Sequence, residues 1–171
     1  RLEQFGAAVH DCDVAIARGD FRAAAARLAA IPKDSPHFVT AQTTLADVYL
    51  HQRNDKKKYI ECYQALAANK PGARTSIALG EACMRVNEPQ AAIRAYEAAL
   101  EYNPSDGGLR SKVGKALVAT HDYAQAKTYY EQALEEQPAN TTLALELAQL
   151  AMRLGRRQRG QYEFAENVLL D

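Results

Sequence analysis

The stretch Ala73–Pro138 states one pattern twice. Displaced by 34 residues, Gly80 falls on Gly114, Ala92 on Ala126, Tyr96 on Tyr130, Ala99 on Ala133, Leu100 on Leu134 and Pro104 on Pro138. A repeat of this length cannot bury its apolar face alone and must stack on its neighbours, which predicts a solenoid in place of a single-core domain. The sizes fit helix pairs: small residues where two helices touch, an aromatic between them, a proline after the second helix. The predicted helices run from about Ala73 to Arg85 and Pro89 to Tyr102, then from Gly107 to Thr120 and Asp122 to Glu136. Pro89 suits a first helical position, where its missing N–H has no partner to lose.

The same phase extends both ways. Counting back from Ala92 by two periods reaches Ala24, preceded by Gly19-Asp20. This pair predicts a break, with Gly leaving one helix left-handed and Asp capping the next. It separates a helix over Leu2–Arg18, with Phe5, Val9, Val14 and Ile16 inward, from one over Phe21–Ala30. A second repeat has helices over Pro36–Gln52 and Asp55–Asn69, with Ala46 in phase with Gly80 and a turn at Asn54-Asp55. Lys58 falls on the phase of Ala92, so this pair must pack differently or let the lysine stem reach solvent. A fifth repeat is expected from Thr141, with Ala148 in phase with Gly114, a turn at Gly155, Gly160 at the phase of Ala126 and Phe164 at that of Tyr130. The reading is one all-α array over 1–171, a right-handed superhelix with approximate repeats 5–38, 39–72, 73–106, 107–140 and 141–171. A chain that starts at Arg1 and ends with Val168 and Leu169 still apolar is expected to be a slice of a longer array.

Charge and motifs exclude several functions. Lys and Arg total 21, as do Asp and Glu; a nucleic-acid or anionic-membrane binder would carry a basic excess. No apolar run approaches the roughly 20 residues of a membrane-spanning helix, so direct membrane insertion is not expected. Cys12, Cys62 and Cys83 are odd in number and form no CxxC pair, which suits a reducing compartment. His10, His37, His51 and His121 are scattered without metal-ligand spacing, and adjacent residues of His10-Asp11-Cys12-Asp13 would point about 100° apart on a helix. There is no GxSxG and no glycine-rich phosphate loop. The expectation is a non-enzymatic protein without metal, cofactor or small-molecule substrate.

The small-residue, aromatic and proline pattern resembles that of tetratricopeptide-repeat (TPR) proteins over nearly the whole chain. The strings YIECYQALAANKPG and LGEACMRVNEPQAAIRAYEAALEYNPSDGGLRSKVGKALVATHDYAQAKTYYEQAL, with ADVYLHQRNDKKKYIECY upstream, look similar to the TPR-only subunit of intraflagellar transport complex A. The turns Asn87-Glu88-Pro89 and Thr120-His121-Asp122-Tyr123 carry this narrower resemblance, whereas GRRQRGQYEFAENVLLD departs from it. It implies a scaffold in the cilium or flagellum and in the cytoplasm near the basal body. There it would act with other complex A subunits in retrograde transport and cargo handling. Two alternatives stay open: a soluble TPR adaptor that binds short peptides, and an enzyme with its catalytic domain elsewhere.

The TPR resemblance also implies that first helices line a concave groove. Candidate partner-binding residues are Arg74, Ile77, Glu81, Met84 and Arg85, then Ser111, Lys115 and Val118, then Leu145, Gln149 and Met152. Their mixture of apolar residues and both charge signs suits an extended segment or a helix; the same residues would equally suit contacts between turns of a superhelix. Co-chaperone TPRs grip a carboxylate with Lys and Asn on these helices. The corresponding positions here hold Thr43, Ile77, Ser111 and Leu145, and Asp47, Glu81, Lys115 and Gln149. No repeat has the pair, so a chaperone-tail receptor is not expected. Arg153, Arg156, Arg157 and Arg159 form a basic cluster, either for an acidic partner or as an exposed turn. Lys56-Lys57-Lys58, and Glu97, Glu101, Glu131, Glu135 and Glu136, read as solvated surface.

Overall fold

The computed structural model describes residues 11–169, with side-chain surroundings up to Arg156. Regular structure among the described residues is entirely helical: α1 (11–17), α2 (Phe21–Ala29), α3 (Phe38–Asp47), α4 (Lys56–Asn69), α5 (Ala73–Arg85), α6 (Pro89–Tyr102), α7 (Gly107–Ala119), α8 (Tyr123–Glu136) and α9 (Thr141–Leu169). A π-helical turn, Val48–Gln52, prolongs α3. The chain forms two compact units, one ending at Asn87 and one starting at Glu88. Within the first, α2 packs on α3, α3 on α4 and α4 on α5; within the second, α6, α7, α8 and α9 pack in succession.

The turns inside the helix pairs share one construction. Gly19, Asn54, Asn87 and His121 have φ of 77°, 49°, 64° and 63°, the left-handed conformation that ends a helix. Each is followed by an acid. Asp20, Asp55 and Asp122 accept the N–H groups of Ala23, Lys58 and Gln125 at 3.0, 3.1 and 3.2 Å, occupying a donor that the next helix leaves free. After Asn87-Glu88, Pro89 removes such a donor instead.

Asn54 stands one residue later than the 34-residue period requires, and the π turn supplies the extra residue. The Asp20 and Asp122 N–H groups reach back to the carbonyls of Ala15 and Leu117, whereas Asp55 reaches one residue further, to Tyr49. This corrects the alignment of Lys58 with Ala92. Counted from the capping acid, the equivalents of Ala92 are Ala24, Ala126 and Tyr59; all four are buried. Lys58 is exposed, and its ammonium lies 5.3 Å from the centroid of the Tyr49 ring. The linker Lys70-Pro71-Gly72 is one residue shorter than Asn103-Pro104-Ser105-Asp106 and Gln137-Pro138-Ala139-Asn140, which restores the count at α5. The shortening also removes a cap. Asp106 and Asn140 accept the N–H groups of Leu109 and Leu143 at 2.9 and 3.1 Å, while Gly72 has no side chain to do so.

Burial follows the corrected register. In the first unit Leu28, Ile31, Leu45, Val48, Tyr59 and Cys62 are buried together, with Tyr49 and Tyr63 packed against them. Cys12 is fully buried with its thiol 3.9 Å from the Ala24 carbonyl, and Ala15 is buried beside it, so α1 turns this face inward. Val14, expected inside, is 39% exposed, because Cys12 and Ala15 set a face that it does not share. Phe5 and Val9 lie outside the described residues. In the second unit Ala92, Tyr96, Ala99, Ala126, Tyr130 and Ala133 are buried. A Cβ on Gly114 would stand 3.0 Å from the Tyr130 ring, so the helices approach too closely there for alanine without a shift.

The expected turn at Gly155 does not form, and α9 runs unbroken for 29 residues. Gly155 occupies the phase of Gly19, Asn87 and His121, but its φ stays outside the left-handed region. The residue after it is Arg156, which has no carboxylate to cap a new helix. With no second helix folding back, Ala148 is exposed instead of buried like Gly80 and Gly114. Gly160, Phe164, Val168 and Leu169 fall beyond the residues whose side-chain surroundings are described.

Two outcomes follow from this packing. Ala126→Leu overfills a contact with no free volume and should cost about 1–3 kcal/mol, whereas Ala124→Leu, on an exposed position of the same helix, should leave the thermal midpoint nearly unchanged. Burial, then the charge and hydrogen bond of Tyr63, push the Tyr59 phenol from 10.0 up to about 12; burial, then Glu61, push the Cys62 thiol from 9.0 up to about 11. Both pKa values are raised on folding, so above the unfolded values the unfolded chain releases protons that the folded chain keeps. Stability should hold below about pH 9 and fall through pH 9–12, and Tyr59→Phe should flatten the upper part of that fall in urea melts at graded pH.

Candidate functional site

None of the candidate concave residues is buried. In the first unit Arg74, Glu81 and Arg85 are exposed on α5, with Ile77 and Met84 half-buried between them. In the second unit Ser111 and Val118 are half-buried and Lys115 is exposed on α7; Leu145, Gln149 and Met152 are exposed on α9. Leu145 and Met152 each keep 59% of their surface, a large apolar exposure on one face of α9. Of the basic cluster, Arg153 and Arg156 stand about one turn apart on this helix and not on a turn. Arg157 and Arg159 lie on the described backbone of α9, beyond the described side chains.

Two clefts gather some of these residues. In the second unit Val118, Gln149 and Arg153 line a cleft of about 150 Å³ with Tyr130, Glu146 and Leu150. Its polar side is organised by Glu146, which accepts from Lys115 Nζ at 3.0 Å and from the Tyr130 hydroxyl. Burial, then the Glu146 charge and hydrogen bond, hold the Tyr130 phenol far above the usual tyrosine range. Helices α7, α8 and α9 are thereby tied through one carboxylate. In the first unit Arg74 lines a cleft of about 170 Å³ with Val39, Thr43, Tyr63, Leu66, Asn69, Lys70, Thr75 and Ala78.

Further clamps were not anticipated from the sequence. Arg110 on α7 pairs through Nε with Glu136 at 3.3 Å and donates to the Gln132 side chain and the Pro104 carbonyl, joining α7 to α8 and to the linker before it. The Tyr129 hydroxyl donates to Glu97 at 3.1 Å. Thus Glu97 and Glu136, read as solvated outer-face residues, also hold neighbouring helices. The signal was the tyrosine itself, since a buried or half-buried phenol needs a polar partner, but the repeat count does not say which acid supplies it.

Among the described residues no group of three or more His, Cys, Asp or Glu side chains is placed to hold a metal ion. Asp11 and Asp13 are exposed while Cys12 points into the core, and His10 lies outside the described residues. Cys12, Cys62 and Cys83 are buried thiols. No described helix is long and apolar enough to cross a membrane.

Comparison with known proteins matches residues 3–66 to the family described as tetratricopeptide repeat protein 21 ARM repeat, and residues 109–171 to the fourth ARM domain of the same protein. Residues 73–106 match the general tetratricopeptide repeat. Tetratricopeptide repeat protein 21B of Mus musculus is 42% identical over 98% of the chain, and that of Homo sapiens 41% over 98%. Tetratricopeptide repeat protein 21A of Mus musculus is 36% identical over 98%. The chain spans 12% of the length of these relatives. Among solved structures, MamA superposes with a TM-score of 0.60 at 21% identity, covering 90% of each chain. The first TPR of Spaghetti (RPAP3), bound to the HSP90 peptide SRMEEVD, superposes with 0.56 at 22%, covering 68% of this chain and 93% of that one. Both likenesses speak to the fold alone.

The three-helix tie gives a measurable coupling. Glu146→Leu should cost about 1–3 kcal/mol by stranding the buried Tyr130 hydroxyl. Tyr130→Phe removes the other partner, so the double variant should lose less than the sum of the single losses in chemical denaturation. Strict additivity would show that the two groups do not share a bond.

Proposed function

Because the chain belongs to the tetratricopeptide repeat protein 21 family, we propose that it is part of a non-enzymatic scaffold subunit of intraflagellar transport complex A. In this reading the parent protein works in the cilium or flagellum and in the cytoplasm around the basal body, in retrograde transport and cargo handling. Its partners are the other protein subunits of that complex. The observation that carries the reading is the identity of 42% to a TPR protein over nearly the whole chain, joined to the repeated turn construction that such an array needs.

We also read residues 1–171 as one stretch of array, with repeats near 5–38, 39–72, 73–106, 107–140 and 141–171. The last presents a single uninterrupted helix where the others have pairs. Partners would dock on Arg74, Ile77, Glu81, Met84 and Arg85 of the first unit and on Ser111, Lys115, Val118, Leu145, Gln149 and Met152 of the second. Arg153 and Arg156 add positive charge beside the second set. Exposed Leu145 and Met152 supply apolar contact area, and exposed Arg85 supplies a charge that fixes orientation.

The test is affinity purification of the tagged full-length protein from ciliated cells, wild type beside a variant carrying Arg85→Glu and Met152→Asp. Both changes fall on exposed side chains and should leave the thermal midpoint within a few degrees. The wild type should recover the other transport subunits and the variant clearly less of at least one of them. Recovery of chaperones without transport subunits would overturn the reading in favour of a peptide-binding adaptor. Undiminished recovery by the variant would overturn the assignment of these surfaces.

A further inference from the structure

The cleft in the first unit differs in chemistry from its surroundings. Val39 stands at its edge, 46% exposed, and Leu66, Tyr63 and Ala78 provide apolar walls from α4 and α5. The two threonine hydroxyls and the Asn69 amide that line it are engaged with the backbone. Thr43 donates to the carbonyls of Val39 and Thr40 at 3.1 and 2.9 Å, and Thr75 to those of Lys70 and Gly72 at 2.7 and 3.0 Å. Asn69 donates to the Lys33 carbonyl at 3.2 Å. What the cleft offers a ligand is therefore apolar, and its volume of about 170 Å³ compares with the roughly 150 Å³ apolar cavity known to admit benzene. One branched aliphatic or aromatic side chain fits that space.

The rim carries one sign of charge. Lys70 and Arg74 are both exposed and both line the cleft, and among the described residues no carboxylate does. Neither makes an ion pair in the structure as described. Asp47 and Glu81 lie about a turn further along α3 and α5. Because the whole chain is neutral, this positive rim is a local feature and not a share of a general basic surface. Long cationic stems can lie along an apolar ligand while their heads meet its charges. Lys70 and Arg74 also lie off the positions where co-chaperone TPRs carry Lys and Asn, so the cleft is not that carboxylate grip.

We propose that this cleft docks a segment of a partner protein in which one large apolar side chain is flanked by carboxylates. The apolar residue enters between Val39, Leu66 and Ala78 and supplies the affinity; the acids meet Lys70 and Arg74 and select the segment and its direction. The assignment rests on reading the array as a docking scaffold, and it adds the chemistry of one ligand. Its charge has a local origin: Lys70, which follows α4 at the cleft, stands where the linkers before α7 and α9 carry the uncharged Asn103 and Gln137.

The test uses the purified chain and fluorescein-labelled peptides, acetylated and amidated, with a central Leu flanked by Glu on both sides. Controls replace the flanking Glu by Lys, or the central Leu by Gly. The Glu–Leu peptide should bind, with amide shifts concentrated on residues 66–78, and both controls should bind at least about tenfold more weakly. Lys70→Glu with Arg74→Glu should reverse the preference in favour of the Lys-flanked peptide. Ala78→Leu, which fills the cleft, should weaken both peptides while leaving the circular dichroism unchanged. Absent binding, equal binding of the two flanked peptides, shifts centred elsewhere, or preference unmoved by the charge swap would each overturn the proposal. So would capture of phosphatidylserine vesicles by Lys70 and Arg74 without any peptide binding. If peptides bind as expected while full-length protein recovers no transport subunits, the scaffold assignment fails and the cleft stands. If subunits are recovered but no peptide binds, the cleft alone fails.

Discussion

A left-handed residue followed at once by an acid is the interaction on which the rest of this fold depends. It ends one helix, satisfies a donor of the next and sends the chain back on itself within two residues. Gly19-Asp20, Asn54-Asp55 and His121-Asp122 do this with the same bond, and after Asn87-Glu88 the proline removes one free donor from the start of α6. Once the return is fixed, the position four residues after the acid must face the first helix. Its size then sets how closely the pair can approach, and Ala24 and Ala126 keep it small. Where the first helix also gives way, as at Gly114, the Tyr130 ring closes the gap.

Glycine alone does not make such a turn. Gly155 has the right phase and more conformational freedom than Asn87 or His121, yet the helix continues through it because Arg156 offers the following segment no cap. A sequence reading that weighs the permissive residue above the capping one will place a turn here. The uncovered face that results, with Ala148 exposed and Leu145 and Met152 largely so, is the direct consequence.

Most of the fold was legible in the sequence. The period, the small residues and the prolines place α5 to α8 to within a residue or so, and the expected all-helical class is what the structure has. Other features were hidden for identifiable reasons. The π turn leaves no compositional mark, so Lys58 took the place that belongs to Tyr59. The partners of Tyr130 and Arg110 lie on neighbouring helices, at separations that no fixed period encodes. The apolar cleft was invisible because it depends on Val39 standing free and on threonine hydroxyls turning to the backbone. The residues proposed for partner docking were chosen by their phase, and phase alone says nothing of what would occupy them.

The lengthened turn before α4 and the shortened linker after it behave like a frameshift and its suppressor. Each alone would displace the downstream chain by one residue, about 100° around a helix. Together they leave α5 and everything after it in register and confine the disturbance to α4. That helix carries Tyr59 in place of an alanine, and it contributes Tyr63, Leu66 and Asn69 to the apolar cleft. A pair of compensating changes, silent when whole periods are counted, thus gives one member of a repeated series an individual surface. In an array built on a repeated helix pair, such a local loss of periodicity is a means of giving one site an address.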